Sequence, residues 1–141
     1  METYQIAAIV VAAVLGIDAL IHAYWLTGRV WPASDVTALS RAVLGADVPF
    51  TPRVLVPLVL VLLAGAAAVL GRAGLIAGGI PEWIWAVGTI AVGAGLLVRG
   101  LAGAVWVVSR SRGSWFYRLN AAAYTPVCLL LCAATVVAFR R

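Results

Sequence analysis

Three polar side chains inside otherwise apolar segments are the residues of this sequence best suited to chemistry. Asp18 and His22 are four positions apart, so a helix places them on one face. A carboxylate one turn from an imidazole fixes its tautomer and gives an acid or base usable near neutral pH. Arg99 lies about nine residues before the end of a later apolar segment, as Asp18 does in the first. If both segments cross a membrane, the two charges fall at similar depth, and we predict an Asp18–Arg99 ion pair.

A stripe of small and aromatic residues occupies the helix face that carries Arg99. Glycines on such a stripe allow close helix packing, which is the simpler interpretation, or leave space for a ligand. The charge pair likewise has a structural interpretation, as a lock that sets helix register. The members of the stripe are Gly88, Gly95, Arg99, Gly103 and Trp106.

The last apolar segment adds polar groups near the same side of the membrane. Pro126 would loosen its first turn and could free a backbone carbonyl. By depth, these groups converge on a polar pocket in one leaflet. The predicted catalytic residues are Asp18, His22 and Tyr124, and the predicted substrate-binding residues are Tyr24, Trp25, Arg99, Trp106 and Asn120.

The composition requires elements that cross a membrane. The chain has 141 residues, of which 65% are hydrophobic and 11% charged, with a mean hydropathy of +1.08. A soluble domain carries roughly 25% charged residues. The net charge of +5 comes from ten arginines that lie in short stretches between apolar segments, and not along one basic face. We therefore expect membrane lipids, and no nucleic acid, as partners.

Four segments are long and apolar enough to cross as helices, about residues 4–26, 54–70, 83–108 and 121–139. The predicted fold is all-α, an integral membrane four-helix bundle in a single domain over residues 1–141. A short interfacial helix is expected over about 35–44, capped by Ser34 or Asp35 and ended by Gly45, with its apolar side in the lipid boundary. Three spans plus a re-entrant segment near Gly71 are the alternative.

The arginine distribution predicts the orientation. Six arginines fall in the first and third connections, whereas three fall in the second connection and at the C-terminus. This bias favours cytoplasmic first and third connections, with both termini outside. The six are Arg29, Arg41, Arg53, Arg110, Arg112 and Arg118, and the three are Arg72, Arg140 and Arg141.

The sequence contains few side chains that could bind a metal ion or a haem. One histidine and no internal methionine cannot build a closed zinc site or a bis-ligated haem, which leaves only a haem held by His22 alone. Cys128 and Cys132 are spaced as C-x-x-x-C within an apolar helix, which is typical of packing and not of redox motifs. We predict no metal and no cofactor.

Several short motifs resemble a family of small four-span membrane proteins of actinomycetes that is classed as a domain of unknown function. They are His22-Ala23-Tyr24-Trp25, Trp31-Pro32, Arg99-Gly100 and Tyr124-Thr125-Pro126 with Cys128. Family members often continue the first motif with Gly-Gly, whereas this chain has Thr27-Gly28-Arg29. The resemblance covers nearly the whole chain and implies four spans in a bacterial inner membrane, with no established activity.

Two classes of function remain. In the first, the pocket binds a lipid-soluble small molecule such as an isoprenoid or quinone, and could isomerise or cyclise it by acid/base chemistry. His22 would act as acid or base, Arg99 would hold an anionic group, and Tyr124 would donate a hydrogen bond. In the second, the protein is a non-enzymatic accessory subunit whose glycine stripe faces a membrane-protein partner or a second copy. Ion transport ranks last, because nothing polar crosses the other leaflet.

Overall fold

The computed structural model describes residues 1–76, 78–109 and 113–140, and in these ranges the protein is all-α, as predicted. Within these ranges, six α-helices and one π-helical turn follow one another. They are α1 (Thr3–Leu26), α2 (Val36–Leu44), α3 (Pro52–Arg72), α4 (Glu82–Ser109), α5 (Trp115–Leu119), the π turn (Asn120–Tyr124) and α6 (Thr125–Phe139).

Four helical stretches are long and apolar enough to cross a membrane: α1, α3, α4, and the continuous stretch Trp115–Phe139. They form the predicted four-helix bundle. Around the bundle α1 packs beside α3, α3 beside α4, α4 beside α6, and α6 beside α1. The helices α1 and α4 therefore stand at opposite corners, which decides how the predicted site residues meet.

Small residues bring α3 and α4 into close contact at the end of the bundle opposite α2. Gly88 of α4 lies against Ala68 of α3, where an added Cβ would come within 2.6 Å of the alanine Cβ. Trp85 packs directly over Gly71 in the same interface. Arg72 and Glu82 form an ion pair at 2.7 Å between the end of α3 and the start of α4. The α3–α4 interface is thus tight at this end.

Helix α2 begins and ends as predicted, and Leu39 on its apolar side packs against other parts of the bundle. The Asp35 carboxylate accepts from the Ala38 N–H at 2.8 Å, which lowers the pKa of that carboxyl, and Gly45 ends the helix with a φ of 69°. Leu39 is 3% exposed and packs with Trp25 and Leu55. Val36 and Leu44 are each 42% exposed, so protein covers only part of the apolar side of α2, and the rest stays open as expected of an interfacial helix.

We call the end of the bundle that carries α2 the α2 end. The C-termini of α1 and α4 and the N-termini of α3 and α5 lie there. Arg29 is exposed after α1, Arg53 and Arg118 are exposed in α3 and α5 at this end, and Arg41 of α2 pairs with Asp47 at 2.6 Å. Three arginines used to predict the orientation, namely Arg110, Arg112 and Arg141, lie outside the described residues.

The two glycines at positions 88 and 95 should respond oppositely to a methyl group. Gly88→Ala is expected to lower the free energy of unfolding by about 1 to 3 kcal/mol, because its Cβ overlaps Ala68. At Gly95 an added Cβ meets nothing within 4 Å, so Gly95→Ala should leave stability unchanged or raise it by up to about 1 kcal/mol. Unfolding by sodium dodecyl sulfate in mixed micelles measures both. Equal effects would contradict the close contact.

Candidate functional site

His22 and Asp18 form the predicted pair on α1. The imidazole Nδ1 lies 2.8 Å from the backbone oxygen of Asp18 and 3.2 Å from its Oδ1. A carbonyl oxygen only accepts, so Nδ1 carries a proton and donates to both oxygens. In the neutral ring, Nε2 then holds the free lone pair. The His22 side chain is 11% exposed and that of Asp18 is 48% exposed, so the carboxylate keeps an accessible edge.

The aromatic ring of Trp25 supports this pair from one turn further on. Its ring meets the imidazole of His22 edge to face, with centroids 4.9 Å apart. Trp25 is itself buried, and its Nε1 donates to the backbone oxygen of Trp31 at 3.2 Å. The imidazole orientation is therefore held by the Asp18 oxygens on one side and by a fixed indole on another.

Arg99 of α4 has its own set of partners. Its Nη1 donates to Oδ1 of Asn120 at 3.0 Å, and the amide nitrogen of Asn120 donates to the backbone oxygen of Gly103 at 2.7 Å. Asn120 is 0% exposed, so both ends of its amide are used in the interior. The guanidinium carbon lies 5.4 Å from the ring centroids of both Trp106 and Tyr124, in the geometry of cation–π contacts.

The predicted ion pair between Asp18 and Arg99 does not form. Among the described residues, no carboxylate oxygen lies within 4.0 Å of the Arg99 guanidinium nitrogens. The cause is the helix arrangement, since α1 and α4 stand at opposite corners and each charged group binds a nearer partner. Two residues at the same depth in a membrane are close together only when their helices are neighbours.

The π turn places Asn120 and Tyr124 beside Arg99. Its defining bond runs from the Thr125 N–H to the Asn120 oxygen, and Pro126 follows directly with no N–H to continue the helical pattern. Gly103 makes room for this turn, because a Cβ there would overlap the Thr125 hydroxyl. That hydroxyl is buried without a hydrogen-bond partner among the described residues. The predicted loosening at the proline thus takes the form of a π turn.

Asp18 and Arg99 still face a common space, which we call the α3/α4 cavity. Its volume is about 680 Å³, and its polar end is formed by Asp18, His22, Arg99 and Tyr124. The rest of its wall is apolar and comes mainly from α3 and α4, down to Gly88. Gly88 precedes Arg99 by eleven residues, so the cavity extends roughly 16 Å along the bundle. It is a long apolar space with one polar end.

A second space lies between α1, α2 and α5, and we call it the α1/α2 cavity. Its volume is about 840 Å³, and Tyr24 and Trp25 line it. Trp106 and Asn120 line neither cavity, but they hold Arg99. The predicted binding residues thus separate into cavity walls and supports of the guanidinium.

Several lining residues were not among the predicted site residues. Gly65 and Ala68 of α3 and Val43 and Leu44 of α2 contribute to the α3/α4 cavity. The small residues at 64, 65 and 68 were a usable signal, because they match the small-residue spacing of α4. The contribution of α2 had no such signal, since it depends on how the helix folds back onto α1 and α3.

The site is equipped for binding an anion and for proton transfer. Arg99 offers a positive charge without a carboxylate partner among the described residues, and His22 with Asp18 offers an oriented acid/base group. The described ranges contain no group of three or more His, Cys, Asp or Glu side chains that could hold a metal ion. Cys128 lines the α3/α4 cavity, whereas Cys132 lines neither cavity.

In the residues that the structure describes, fold and site together define a small all-α protein with four membrane-length helices and a partly open cavity that is polar at one end. The chain belongs to the protein family of unknown function DUF3995, whose model matches residues 15–135. The resemblance to a family of unknown function is thereby confirmed. No curated protein and no solved structure matches the chain. The matched range includes both charged groups of the site.

The amide of Asn120 should be important for stability as well as for placing Arg99. Asn120→Ala is expected to lower the free energy of unfolding by roughly 1 to 3 kcal/mol, because it removes the interhelical hydrogen bond to the Gly103 carbonyl and the buried acceptor of Arg99. Ser109→Ala is the control, since that exposed hydroxyl bonds only within its own helix, and we expect a change below about 0.5 kcal/mol. Similar unfolding curves for the two variants would refute this role.

Proposed function

We propose that the protein binds a lipid-soluble amphiphilic molecule in the α3/α4 cavity, with its polar group at Arg99 and its apolar chain directed toward Gly88. One observation carries this proposal: a long apolar cavity ends at an arginine that has no carboxylate partner among the described residues. A buried or half-buried cation is costly without a counter-charge, so an anionic ligand group would stabilise it.

The dimensions of the cavity favour an isoprenoid or a quinone-like chain. A volume of about 680 Å³ falls within the range of roughly 300 to 1,000 Å³ that is usual for small-molecule sites. The length of roughly 16 Å suits an extended chain better than a compact ring system. Gly95 lies midway along the wall and leaves space that a larger side chain would fill.

The chemistry we propose at this site is proton transfer, as in an isomerisation or cyclisation. His22 would take a proton from one atom of the ligand through Nε2 and return one to another, while Asp18 keeps Nδ1–H in place and balances the imidazolium charge. Tyr124 would donate a hydrogen bond to the ligand, and its ring lies on the Arg99 guanidinium.

We further propose that the protein resides in a bacterial inner membrane with its α2 end at the cytoplasmic side and both termini outside. The exposed arginines 29, 53 and 118 at that end support this orientation, since positively charged connections are retained in the cytoplasm. The polar end of the α3/α4 cavity would then open in the cytoplasmic leaflet.

Filling the cavity should expel the ligand. Gly95→Leu places a side chain into the α3/α4 cavity, and Ala94→Leu places the same side chain on the exposed face of α4 as a matched control. After purification in mild detergent, mass spectrometry of co-purified lipids should show a species retained by the wild type and the control and lost from Gly95→Leu. Arg99→Gln should reduce the same species.

The same comparison distinguishes ligand binding from the alternative that the protein is an accessory subunit. If all four proteins carry identical lipids, the binding proposal fails. If Gly95→Cys then crosslinks to a cysteine of another chain, the stripe is a protein interface instead.

Proton transfer predicts isotope exchange into the retained species. In D₂O the wild-type protein should incorporate deuterium into a carbon-bound position of its ligand, because His22 exchanges its proton with solvent between transfers. His22→Gln preserves a side chain that can donate to the Asp18 oxygens but removes the titrating group, so it should keep the ligand without exchange. The mass of the extracted ligand measures this. Equal incorporation in both proteins would assign any exchange to a group other than His22.

A further inference from the structure

The α1/α2 cavity is a second, partly open space that the proposed function does not use. It holds about 840 Å³ and is bounded by α1, α2 and the start of α5. The two cavities meet at a common wall, and the residues that line both are Asp18, His22, Val43 and Tyr124. The oriented acid/base pair therefore stands between two spaces and is accessible from each.

The two cavities differ in charge. Arg99 lines the α3/α4 cavity, whereas none of the arginines that the structure describes lines the α1/α2 cavity. The ionisable side chains of the second space are Asp18, His22, Tyr24 and Tyr124, which offer a carboxylate acceptor and hydroxyl groups. An anionic group would meet the Asp18 carboxylate there without a compensating cation, at a high cost in a low-dielectric site. The second space therefore suits an uncharged molecule that carries a hydroxyl group.

The α1/α2 cavity also has an aromatic rim of its own. Trp31 is 73% exposed and Trp115 is 63% exposed, and both line this cavity and not the other. The hydrogen bond from Trp25 Nε1 to the Trp31 oxygen ties this rim to the inner wall. Indole rings are favoured at the membrane interface. A molecule can thus enter this space from the α2 end without passing through the α3/α4 cavity.

From these observations we infer that the α1/α2 cavity is a second ligand site, which binds an uncharged, hydroxyl-bearing lipophile next to the amphiphile of the α3/α4 cavity. The inference rests on the proposed function in that both molecules would meet at the His22–Asp18 pair. Separate access and a volume sufficient for one small molecule in each space favour two molecules over one branched ligand. The hydroxyl would donate to the accessible Asp18 carboxylate.

Two probes of equal chain length distinguish the sites. Bromoundecanoic acid is anionic and matches the α3/α4 cavity, whereas bromoundecanol is uncharged and matches the α1/α2 cavity. Bromine gives each bound probe a recognisable isotope pattern. Native mass spectrometry of the full-length protein released from detergent micelles counts the molecules bound and yields relative affinities.

Five leucine substitutions provide the blocked sites and their controls. Ala42→Leu and Ala38→Leu each fill the α1/α2 cavity from α2, and neither alanine lines the other space. Gly95→Leu fills the α3/α4 cavity. Ala94→Leu and Thr37→Leu add the same side chain at exposed positions outside both cavities.

The wild-type protein should bind one acid and one alcohol at the same time. The α2 variants should weaken alcohol binding roughly tenfold or more while acid binding persists, because three added carbon atoms take the space of the chain. Gly95→Leu should have the reverse effect, and retained binding of the other probe shows that each variant is folded. The two control variants should bind both probes as the wild type does.

Three results would overturn the second site. Displacement of the alcohol by saturating acid would show a single shared site. Loss of the alcohol in Gly95→Leu with no effect of the α2 substitutions would place both probes in the α3/α4 cavity. Alcohol binding that none of the variants changes would be partition into the micelle. Failure of acid binding to respond to Gly95→Leu counts instead against the proposed function, so the two failures are distinguishable.

Discussion

A polar group in the interior of an apolar bundle must find its partner locally, and this constraint determines the whole site. In this protein the polar groups of the site form two sets. On α1 the imidazole of His22 donates to the oxygens of Asp18. On the opposite corner Arg99 donates to Asn120, which donates to Gly103. Each set supplies hydrogen bonds to its own members without an ion pair between the sets, and the space between them stays open as the polar end of the α3/α4 cavity.

The π turn positions Asn120 so that it can bond to both Arg99 and Gly103. A regular helix that continued from α5 into α6 would require an N–H at Pro126, which proline does not have. The turn absorbs this defect at Asn120–Tyr124, and the backbone of Gly103 provides the close contact that lets the Asn120 amide reach both a carbonyl and a guanidinium. Tyr124, at the end of the same turn, then lies on the guanidinium face. A local backbone irregularity thus organises one half of the site.

The sequence was sufficient for the helices and for contacts within one helix, and insufficient for contacts that depend on helix order. The four-residue spacing of Asp18 and His22 predicts a pair that the structure contains, because helix geometry alone determines it. The ion pair of Asp18 with Arg99 failed, since periodicity provides depth and face but not which corner a helix occupies. The burial of Leu39 on α2 was not predicted for a related reason: an apolar face can be buried by lipid or by protein, and the sequence of the helix does not distinguish the two.

Close helix packing explains some of the glycines of α4 but not all of them. Gly88 and Gly103 fit it, because a side chain at either would overlap a neighbouring helix. Gly95 does not, since a Cβ there would meet nothing within 4 Å, although glycine costs about 1 kcal/mol relative to alanine inside a helix. Neither close packing nor a positive φ accounts for this residue. Gly95 lies in the wall of the α3/α4 cavity between Gly88 and Arg99, so a larger side chain there would narrow that space without meeting another helix.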